Sequence, residues 1–219
     1  MKLQAILFDL DGTLIDQFEA IHRAFARTIE IMGFEPPTYD EVKKSVGGAS
    51  EATMAKLIGQ EHAPEAVKIL RPIFEEEMLN GLRSLPFALD AVKLIKKSHM
   101  NCAVLTNKYG PHARLICEHL GFGDYLDCVI GAHDTQWKKP DKSLTTYCLD
   151  KMKVDHRECV YIGDSPYDYE TAINANLECR LVATGTHKLH ELENLIGKKK
   201  AFQKLKDLVL SLAEEYSFS

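Results

Sequence analysis

The sequence predicts an α/β protein with a doubly wound, mainly parallel five-stranded sheet and an all-helical segment inserted after the first strand. Five short apolar runs are separated by segments in which apolar residues recur at helical spacing. Apolar strands that alternate with helices are typical of a parallel sheet covered on both faces, which is the winding of a Rossmann-like core. The runs are ILFDL at 6–10, CAVLT at 102–106, DCVIGA at 127–132, CVYIG at 159–163 and CRLVAT at 179–184.

The helices of the core are predicted between these strands from their apolar periodicity. They cover 88–98, 111–120 and 143–152, and a closing amphipathic helix is marked by Phe202, Leu205, Val209 and Leu212. The basic run Lys198–Lys200 is interpreted as a solvated loop between helices. The core is therefore expected to continue to the end of the printed sequence.

A long segment between the first two strands carries only helical patterns. Its signals are the apolar residues Phe18, Ile21, Phe25, Ile29 and Met32, the capping-box residues Thr38 and Glu41, the interruption Gly47-Gly48, the N-cap candidate Ser50 and the range Ala66 to Leu82. Helices inserted into an α/β core suggest a separate small domain. The sequence thus predicts an α/β core from 1–15 and 86–219, and a helical cap domain from 16–85.

Composition and charge exclude several classes of protein. In 219 residues, 45% of them hydrophobic, no apolar run approaches the roughly 20 residues that a membrane span needs. The formal net charge of -5 and the pI of about 6.0 argue against a nucleic-acid partner, which usually requires a basic face. The sequence starts without a signal-peptide pattern, so we expect a cytoplasmic protein with no membrane partner and with six reduced cysteines.

Two aspartates end the first apolar run. Asp9 and Asp11 stand in the stretch ILFDLDGTLID, and Gly12 and Thr13 lie within the same stretch. If the strand continues through them, both carboxylates point to the same side, because side chains alternate with period two. Two like charges held together cost free energy unless a cation or a proton offsets their repulsion. The pair is either a strained accident or a site that requires a metal.

Polar residues also follow the other predicted strands. In open α/β sheets the functional site lies beyond the carboxyl ends of the strands. The candidates at these ends are Asp9, Asp11, Thr13, Thr106, Asn107, Lys108, Lys139, Asp164 and Asp168. Each alone has an ordinary explanation, such as a helix cap, a solvated lysine or an acid that complements a helix dipole. Their joint appearance at the ends of the strands favours one shared site.

These residues form four motifs that resemble the haloacid dehalogenase superfamily, in particular its phosphatase subgroup with a helical cap. The motifs are FDLDGTL at 8–14, Thr106, Lys139 followed by Pro140, and GDSPYD at 163–168. The first motif is highly specific, and the order and spacing of all four fit along nearly the whole chain. The position before Pro140 favours Lys139 over Lys138 as the family lysine. Asp141-Lys142 after Pro140 and Asn176 after the last motif depart from the usual pattern.

The resemblance implies a role for each motif residue. It implies catalytic roles for Asp9 as nucleophile, Asp11 as general acid and base, Thr106 as phosphate-binding hydroxyl and Lys139 as phosphate-binding lysine. It implies Mg²⁺ as cofactor, held by the side chains of Asp9 and Asp164 and the main-chain carbonyl of Asp11, with Asp168 in support. Oxygen ligands of this kind are those that a hard divalent cation prefers.

The chemistry of a phosphate monoester fits the same residues. A carboxylate that attacks a dianionic ester meets like-charge repulsion, which a divalent cation and Lys139 would offset. Asp9 would form an aspartyl-phosphate, while Asp11 would protonate the leaving alkoxide and later take a proton from water. The paired acids are tolerable because a metal and a dianion share the site with them.

Other enzymes and other classes of protein fit the motifs less well. A dehalogenase normally lacks the second acid, and a phosphonate hydrolase requires a lysine in the cap. A sugar phosphomutase keeps both acids and is the main alternative, although His22 is displaced by one position from the expected cap histidine and Asp168 replaces a glycine. A phosphoacceptor receiver domain lacks the helical insert, and no G-x-G-x-x-G follows strand one for a dinucleotide.

The substrate is the least determined property. The TNK stretch at 106–108 and the Gly47-Gly48 turn resemble phosphoglycolate phosphatases. Residues expected to contact the substrate or its phosphate are Thr13, Asn107, Lys108, Gly47 and Gly48. We expect a phosphatase for a small phosphorylated metabolite, with phosphoglycolate as one candidate. The oligomeric state stays open between monomer and dimer.

Overall fold

The computed structural model describes residues 2–218, which contain eight β-strands and ten α-helices. The strands are β1 (Ala5–Phe8), β2 (Ile15–Asp16), β3 (Arg83–Ser84), β4 (Asn101–Tyr109), β5 (Cys128–Ala132), β6 (Cys159–Gly163), β7 (Glu178–Val182) and β8 (Ala201–Phe202). The helices are α1 (Phe18–Ile31), α2 (Tyr39–Ser45), α3 (Ser50–Ile58), α4 (Ala63–Glu77), α5 (Ala88–Lys97), α6 (Gly110–His119), α7 (Lys142–Met152), α8 (Pro166–Asn174), α9 (Leu189–Ile196) and α10 (Leu205–Glu215). No helix in this part of the chain is long and apolar enough to cross a membrane.

The described chain divides into two compact units. One unit is Asp16–Arg83, and the other combines the residues before Asp16 with those after Arg83. The first unit contains α1 to α4, and the second contains the large sheet with α5 to α10. The short strands β2 and β3, at the two points where the chain passes between the units, pair with each other.

The large sheet has the strand order β5-β4-β1-β6-β7-β8, and the strand pairs with an assigned register are parallel. β1 lies in the middle, with Phe8 beside Val104 of β4 and Ile162 of β6. The chain runs outward from β1 to β5 on one side and from β6 to β8 on the other. The strand order reverses at β1, and in open α/β sheets ligands bind beyond the carboxyl ends of the strands at such a point.

Alternating side chains of the strands bury both faces of the sheet. On one face, Leu7, Leu105 and Tyr161 form a core with residues of α7, α8 and α9. The neighbouring residues Ile6 and Phe8 point to the other face by the period-two rule and are fully buried. α5, α6 and α10 contact β4, β5 and β7 respectively. The strands are therefore apolar on both faces, as the continuous apolar runs indicate.

The predicted α/β class is confirmed, with one correction to the sheet. The sheet has six strands rather than five, because Ala201–Phe202 adds a short edge strand beside β7. Two residues are too few to show an alternating pattern, and Phe202 matches the period of the closing helix equally well. That helix begins only at Leu205.

The helical unit has its own apolar core. Phe18, Phe25, Met54, Leu70 and Phe74 are buried together there. The predicted capping box is present at the start of α2, since the Glu41 amide donates to Thr38 Oγ1 and the Thr38 amide donates to Glu41 Oε2. The predicted cap at Ser50 is wrong by one residue, because Ala49 is the N-cap of α3 and makes no side-chain cap bond.

Leu7→Ala should strongly destabilise the sheet unit. Leu7 is fully buried at the centre of the core, and removal of such a side chain costs about 2–5 kcal/mol of unfolding free energy. Leu210→Ala on α10 is the matched control, because Leu210 is 41% exposed. Urea unfolding followed by circular dichroism measures both, and equal losses for the two variants would contradict the packing described.

Candidate active site

Three buried aspartates form an acidic cluster at the carboxyl ends of β1 and β6. Carboxylate oxygens of Asp9, Asp164 and Asp168 all lie within 4.8 Å of one another, and each residue is at most 7% exposed. Asp9 directly follows β1, and its amide donates to Ile162 O, which fixes it beside β6. Burial disfavours the charged form of a carboxyl group, and neighbouring acids disfavour it further. The cluster therefore needs positive charge.

The pKa values of Asp9 and Asp164 reflect this shortage of positive charge. Burial is the main cause that raises the pKa of Asp9 to about 7, against the opposing charge of Lys139. Burial, followed by the charges of Asp168 and Asp9, holds the pKa of Asp164 well above its ordinary value. Carboxyl groups whose pKa values are raised in this way are common at functional sites. A cation bound in the cluster would stabilise their ionised forms and lower these pKa values.

Lys139 supplies part of the required charge. Its Nζ donates to Asp9 Oδ1 at 2.6 Å, to Asp168 Oδ1 at 2.7 Å and to the Tyr161 hydroxyl at 3.1 Å. Burial alone would lower the pKa of Lys139, but the charges of Asp168 and Asp9 outweigh it and hold that pKa well above its ordinary value. Lys139 therefore stays charged at neutral pH.

Asn107 positions the loop that carries Lys139. The Asn107 side chain donates from Nδ2 to Lys139 O at 3.2 Å, and its Oδ1 accepts from the Lys139 amide at 2.9 Å. The Lys139–Pro140 peptide is cis. The two hydrogen bonds tie β4 to this loop across 32 residues of chain. The Asn107 side chain is thus committed to the main chain of Lys139.

Asp168 organises the start of α8. Its Oδ2 accepts from the amides of Asp164 and Ser165, both at 3.1 Å, and from Ser165 Oγ at 2.6 Å. Its Oδ1 accepts from Lys139 and from the Tyr161 hydroxyl. Both oxygens of Asp168 are therefore occupied by protein donors. This environment fits a residue that orients Asp164 and Lys139.

Asp164 is held by the loop after β7. Its Oδ2 accepts from the Thr186 amide at 3.0 Å, and Thr13 Oγ1 lies 3.5 Å from its Oδ1. A Cβ at Gly185 would stand 1.9 Å from Asp164 Oδ2, so only glycine leaves room for this carboxylate. Thr184 Oγ1 donates to Gly12 O at 2.7 Å and joins the same loop to the turn after β1.

Asp11 lies outside the acidic cluster and has a separate partner. Lys108 Nζ contacts Asp11 Oδ2 at 2.9 Å and Oδ1 at 3.0 Å, and both side chains are largely buried. The main chain turns immediately after Asp11, where Leu10 O accepts from the amides of Leu14 and Ile15. The two acids of the first motif thus have different neighbours, and each faces its own lysine.

Thr106 lies two residues before Lys108 on the same strand. Its Oγ1 accepts from the Lys108 amide at 3.2 Å, and the residue is 2% exposed. A hydroxyl offers one donor besides its acceptor sites. Since the amide occupies an acceptor position, the O–H group of Thr106 can still act as a donor.

The structure brings nine of the eleven predicted site residues into the sheet unit. These are Asp9, Asp11, Thr13, Thr106, Asn107, Lys108, Lys139, Asp164 and Asp168, linked by the contacts above. Gly47 and Gly48 belong to the helical unit, where they follow α2, and Val46 forms an isolated bridge with Gly48. The roles implied for all eleven residues remain predictions.

Some contributors to the site were not predicted from the sequence. Tyr161, Ser165, Thr184 and Thr186 contact the acids or the turn after β1. Thr184 ends the last predicted apolar run and Thr186 follows it, so the rule that selects polar residues at strand ends could have found them. A hydroxyl inside the apolar run CVYIG was the available signal for Tyr161.

Residues 6–182 match the family described as haloacid dehalogenase-like hydrolase. This range is most of the chain and contains each predicted catalytic and metal-ligand residue. The chain belongs to the haloacid dehalogenase-like hydrolase family. The resemblance found in the four motifs is thereby confirmed.

Individual relatives carry phosphatase names. A phosphoglycolate phosphatase from Aquifex aeolicus is 27% identical over 86% of this chain and 88% of its own length. One from Rhodobacter capsulatus is 29% identical over 84% of this chain and 86% of its own length. These matches and the family match confirm the prediction of an enzyme of the phosphatase subgroup.

A solved structure has the same fold. A haloacid dehalogenase-like family hydrolase from Streptococcus pneumoniae aligns with a TM-score of 0.85 over 96% of this chain and 98% of that chain. The sequence identity is 21%, so this likeness concerns the fold alone. It agrees with the α/β class predicted from the apolar runs.

Asp9→Asn should change how stability depends on pH in protein treated with EDTA. The folded-state pKa of Asp9, about 7, lies above its ordinary value of 3.8. Native Asp9 therefore holds a proton between these values, and its buried charge destabilises the fold as the pH rises through 7. The wild type should lose melting temperature relative to Asp9→Asn between pH 5 and pH 8.

Asp150→Asn is the control for this measurement, because Asp150 is exposed on α7. Its melting temperature relative to the wild type should stay constant over the same range. A constant difference for Asp9→Asn as well would contradict the burial assigned to this carboxyl group.

Proposed function

We propose that this enzyme is a Mg²⁺-dependent phosphatase that hydrolyses a small phosphorylated metabolite through an aspartyl-phosphate on Asp9. The observation that carries the proposal is the acidic cluster of Asp9, Asp164 and Asp168, with Lys139 bound to its nucleophile. Asp9 is a buried carboxylate that contacts a lysine and lies in a cluster of acids that can bind a cation. Positive charge at both places would allow it to attack a phosphate dianion.

The residues of the cluster fit a hard divalent cation. The available donors are carboxylate oxygens, and magnesium is bound through such oxygens. Asp9 and Asp164 would hold the ion together with the main-chain carbonyl of Asp11, while Asp168 supports Asp164 through main-chain and Ser165 contacts. The raised pKa values of Asp9 and Asp164 support this assignment. They indicate that too little positive charge lies near the two carboxylates to stabilise their ionised forms. When bound, Mg²⁺ supplies charge that offsets the repulsion between Asp9 and the phosphate oxygens.

The chain's own residues divide the remaining chemistry. As Asp9 forms a bond to phosphorus, the bond from phosphorus to the ester oxygen breaks and the alcohol leaves. Lys139, in contact with Asp9, offsets the negative charge at this point, and the Thr106 hydroxyl donates to a phosphate oxygen. Asp11 protonates the departing oxygen and afterwards takes a proton from the water that hydrolyses the aspartyl-phosphate. Phosphate and the unmodified carboxylate are the products.

The names of the relatives support a small substrate. The two curated relatives described above are phosphoglycolate phosphatases, and phosphoglycolate is therefore one candidate substrate here. In this proposal the helical unit serves as a cap domain, and Gly47 and Gly48 belong to its substrate loop. Thr13 and Asn107 lie at the phosphate site, Asn107 through its main chain because its side chain holds Lys139, and Lys108 contacts the substrate.

Phosphate release from a panel of metabolites should depend on the Asp9 carboxylate. Wild-type protein with Mg²⁺ should release phosphate from one class of monoester, and Asp9→Asn should lose at least about 1,000-fold in kcat, since its amide cannot form the intermediate. Asp150→Asn should keep the wild-type rate. Conversion of a sugar phosphate without phosphate release would indicate a mutase instead, and a substantial residual rate in Asp9→Asn would refute the covalent route.

Metal removal should abolish turnover, and the identity of the added ion should matter. After treatment with EDTA, Mg²⁺ should restore activity and Mn²⁺ should restore part of it. Ca²⁺ should bind and compete with Mg²⁺ without supporting turnover, because it is larger and often takes both oxygens of a carboxylate. Full activity in EDTA, or equal rates with Ca²⁺ and Mg²⁺, would contradict the proposed cofactor.

A further inference from the structure

Two lysines contact the acids of the site, and they do so in different ways. Lys139 Nζ donates hydrogen bonds to Asp9, Asp168 and Tyr161 in the acidic cluster. Lys108 contacts both oxygens of Asp11, at 2.9 and 3.0 Å, and its side chain is 7% exposed. The nucleophile and the proposed proton donor therefore each have a lysine of their own.

The contact with Asp11 fixes where the Lys108 ammonium lies relative to a substrate. In the proposed function Asp11 protonates the ester oxygen, which requires an approach of about 2.6–3.2 Å. Adding the contact between the two side chains keeps the ammonium within about 6 Å of that oxygen. The first carbon of the leaving alcohol and its substituents occupy the same neighbourhood. Lys108 thus lies beside the alcohol, whereas Lys139 lies beside the nucleophile.

The local backbone holds Lys108 at this position. Lys108 lies two residues after Thr106 in the part of β4 where the register against β5 shifts, between Leu105 and Tyr109. The Lys108 amide also donates to Thr106 Oγ1. Thr106, the proposed phosphate donor, and Lys108 are therefore joined by a hydrogen bond within one short segment. Side chains held in this way can bind two charged groups of one ligand at a fixed separation.

We infer that Lys108 is a specificity-determining residue that selects phosphate monoesters whose alcohol carries an anionic group attached directly to the ester carbon. A carboxylate there offers a charge-assisted hydrogen bond of about 2.7–2.9 Å to an ammonium. The substrate class is thus the phosphate esters of short hydroxy acids, of which 2-phosphoglycolate is the smallest. The inference rests on the proposed phosphatase function, and it adds the group that recognises the leaving alcohol.

The test compares two esters that differ in this group. 2-Phosphoglycolate carries a carboxylate where 2-hydroxyethyl phosphate carries a neutral hydroxymethyl group. Wild-type protein should prefer the first in kcat/KM. Lys108→Met should reduce the ratio of kcat/KM for the first ester to kcat/KM for the second by on the order of 100-fold, in line with the loss of one charged hydrogen bond. Lys108→Arg should keep most of the preference, because it keeps the charge.

Lys96→Met is the matched control. Lys96 also pairs with an acid, Asp127, but lies on α5 and contacts no residue of the site in the described contacts. It should leave the ratio between the two substrates unchanged. Equal losses on both esters in Lys108→Met would overturn the inference, because Lys108 would then act only through Asp11. A wild-type protein without preference would overturn it as well.

A binding measurement separates this inference from the proposed function. Isothermal titration calorimetry in the presence of Mg²⁺ measures the Kd of each ester without turnover. The two proteins compared are the single variant Asp9→Asn and the double variant that also carries Lys108→Met. A preference for 2-phosphoglycolate that disappears with Lys108→Met supports the inference even if the wild type releases no phosphate. Absence of that preference in Asp9→Asn refutes the inference even if the wild type is an active phosphatase.

Discussion

The ion pairs of the Lys139 ammonium with Asp9 and Asp168 hold the polar edge of the sheet together. Three carboxylates with oxygens within 4.8 Å repel one another in a buried environment, where a charge that lacks a partner costs far more than at the surface. Lys139 binds the acid after β1 and the acid in the first turn of α8 at once. Asn107 holds the loop that carries Lys139, and the Tyr161 hydroxyl accepts from Lys139 Nζ.

The charges of the site remain unbalanced after this bridge. When Asp9, Asp11, Asp164 and Asp168 are ionised, Lys139 and Lys108 offset two of the four negative charges. Two charges are left, which matches one divalent cation. The raised pKa of Asp9, about 7, expresses the same deficit in terms of protons. A proton and a metal ion therefore compete for the same carboxylates, and metal binding is expected to depend on pH.

Different segments of the sheet unit contribute the residues of the site. The segment after β1 presents Asp9 and Asp11, the proposed nucleophile and proton donor. β4 presents Thr106 and Lys108, and the segment after β6 presents Asp164 and Asp168. Because parallel strands end at one edge, groups from distant parts of the chain meet there without any long loop. Rigid neighbouring strands also fix distances between these groups, and preorganised charges contribute most to catalysis when they need not move.

The sequence by itself determined the elements and the candidates of the site. Apolar runs located the strands, and polar residues after the strands selected Thr106, Lys139 and Asp164. The period-two rule did not decide the placement of Asp9 and Asp11, because β1 ends at Phe8 and the two acids have different partners. These signals are local, because a strand, a helix or a cap depends on residues only a few positions apart. The four motifs added the family, which the match over residues 6–182 confirms.

Only the tertiary structure decided which partner each charged residue has. Lys108 reaches Asp11 across 97 positions, Lys139 reaches Asp9 across 130, and Thr13 approaches Asp164 across 151. No periodicity encodes such a pairing, since it depends on the order of the strands and on where each loop returns to the edge. The sixth strand is a similar case, because Ala201 and Phe202 become a strand through hydrogen bonds to β7 rather than through their own pattern. Long-range contacts of this kind arise from the assembled sheet, and for that reason the sequence located the residues while the fold determined their partners.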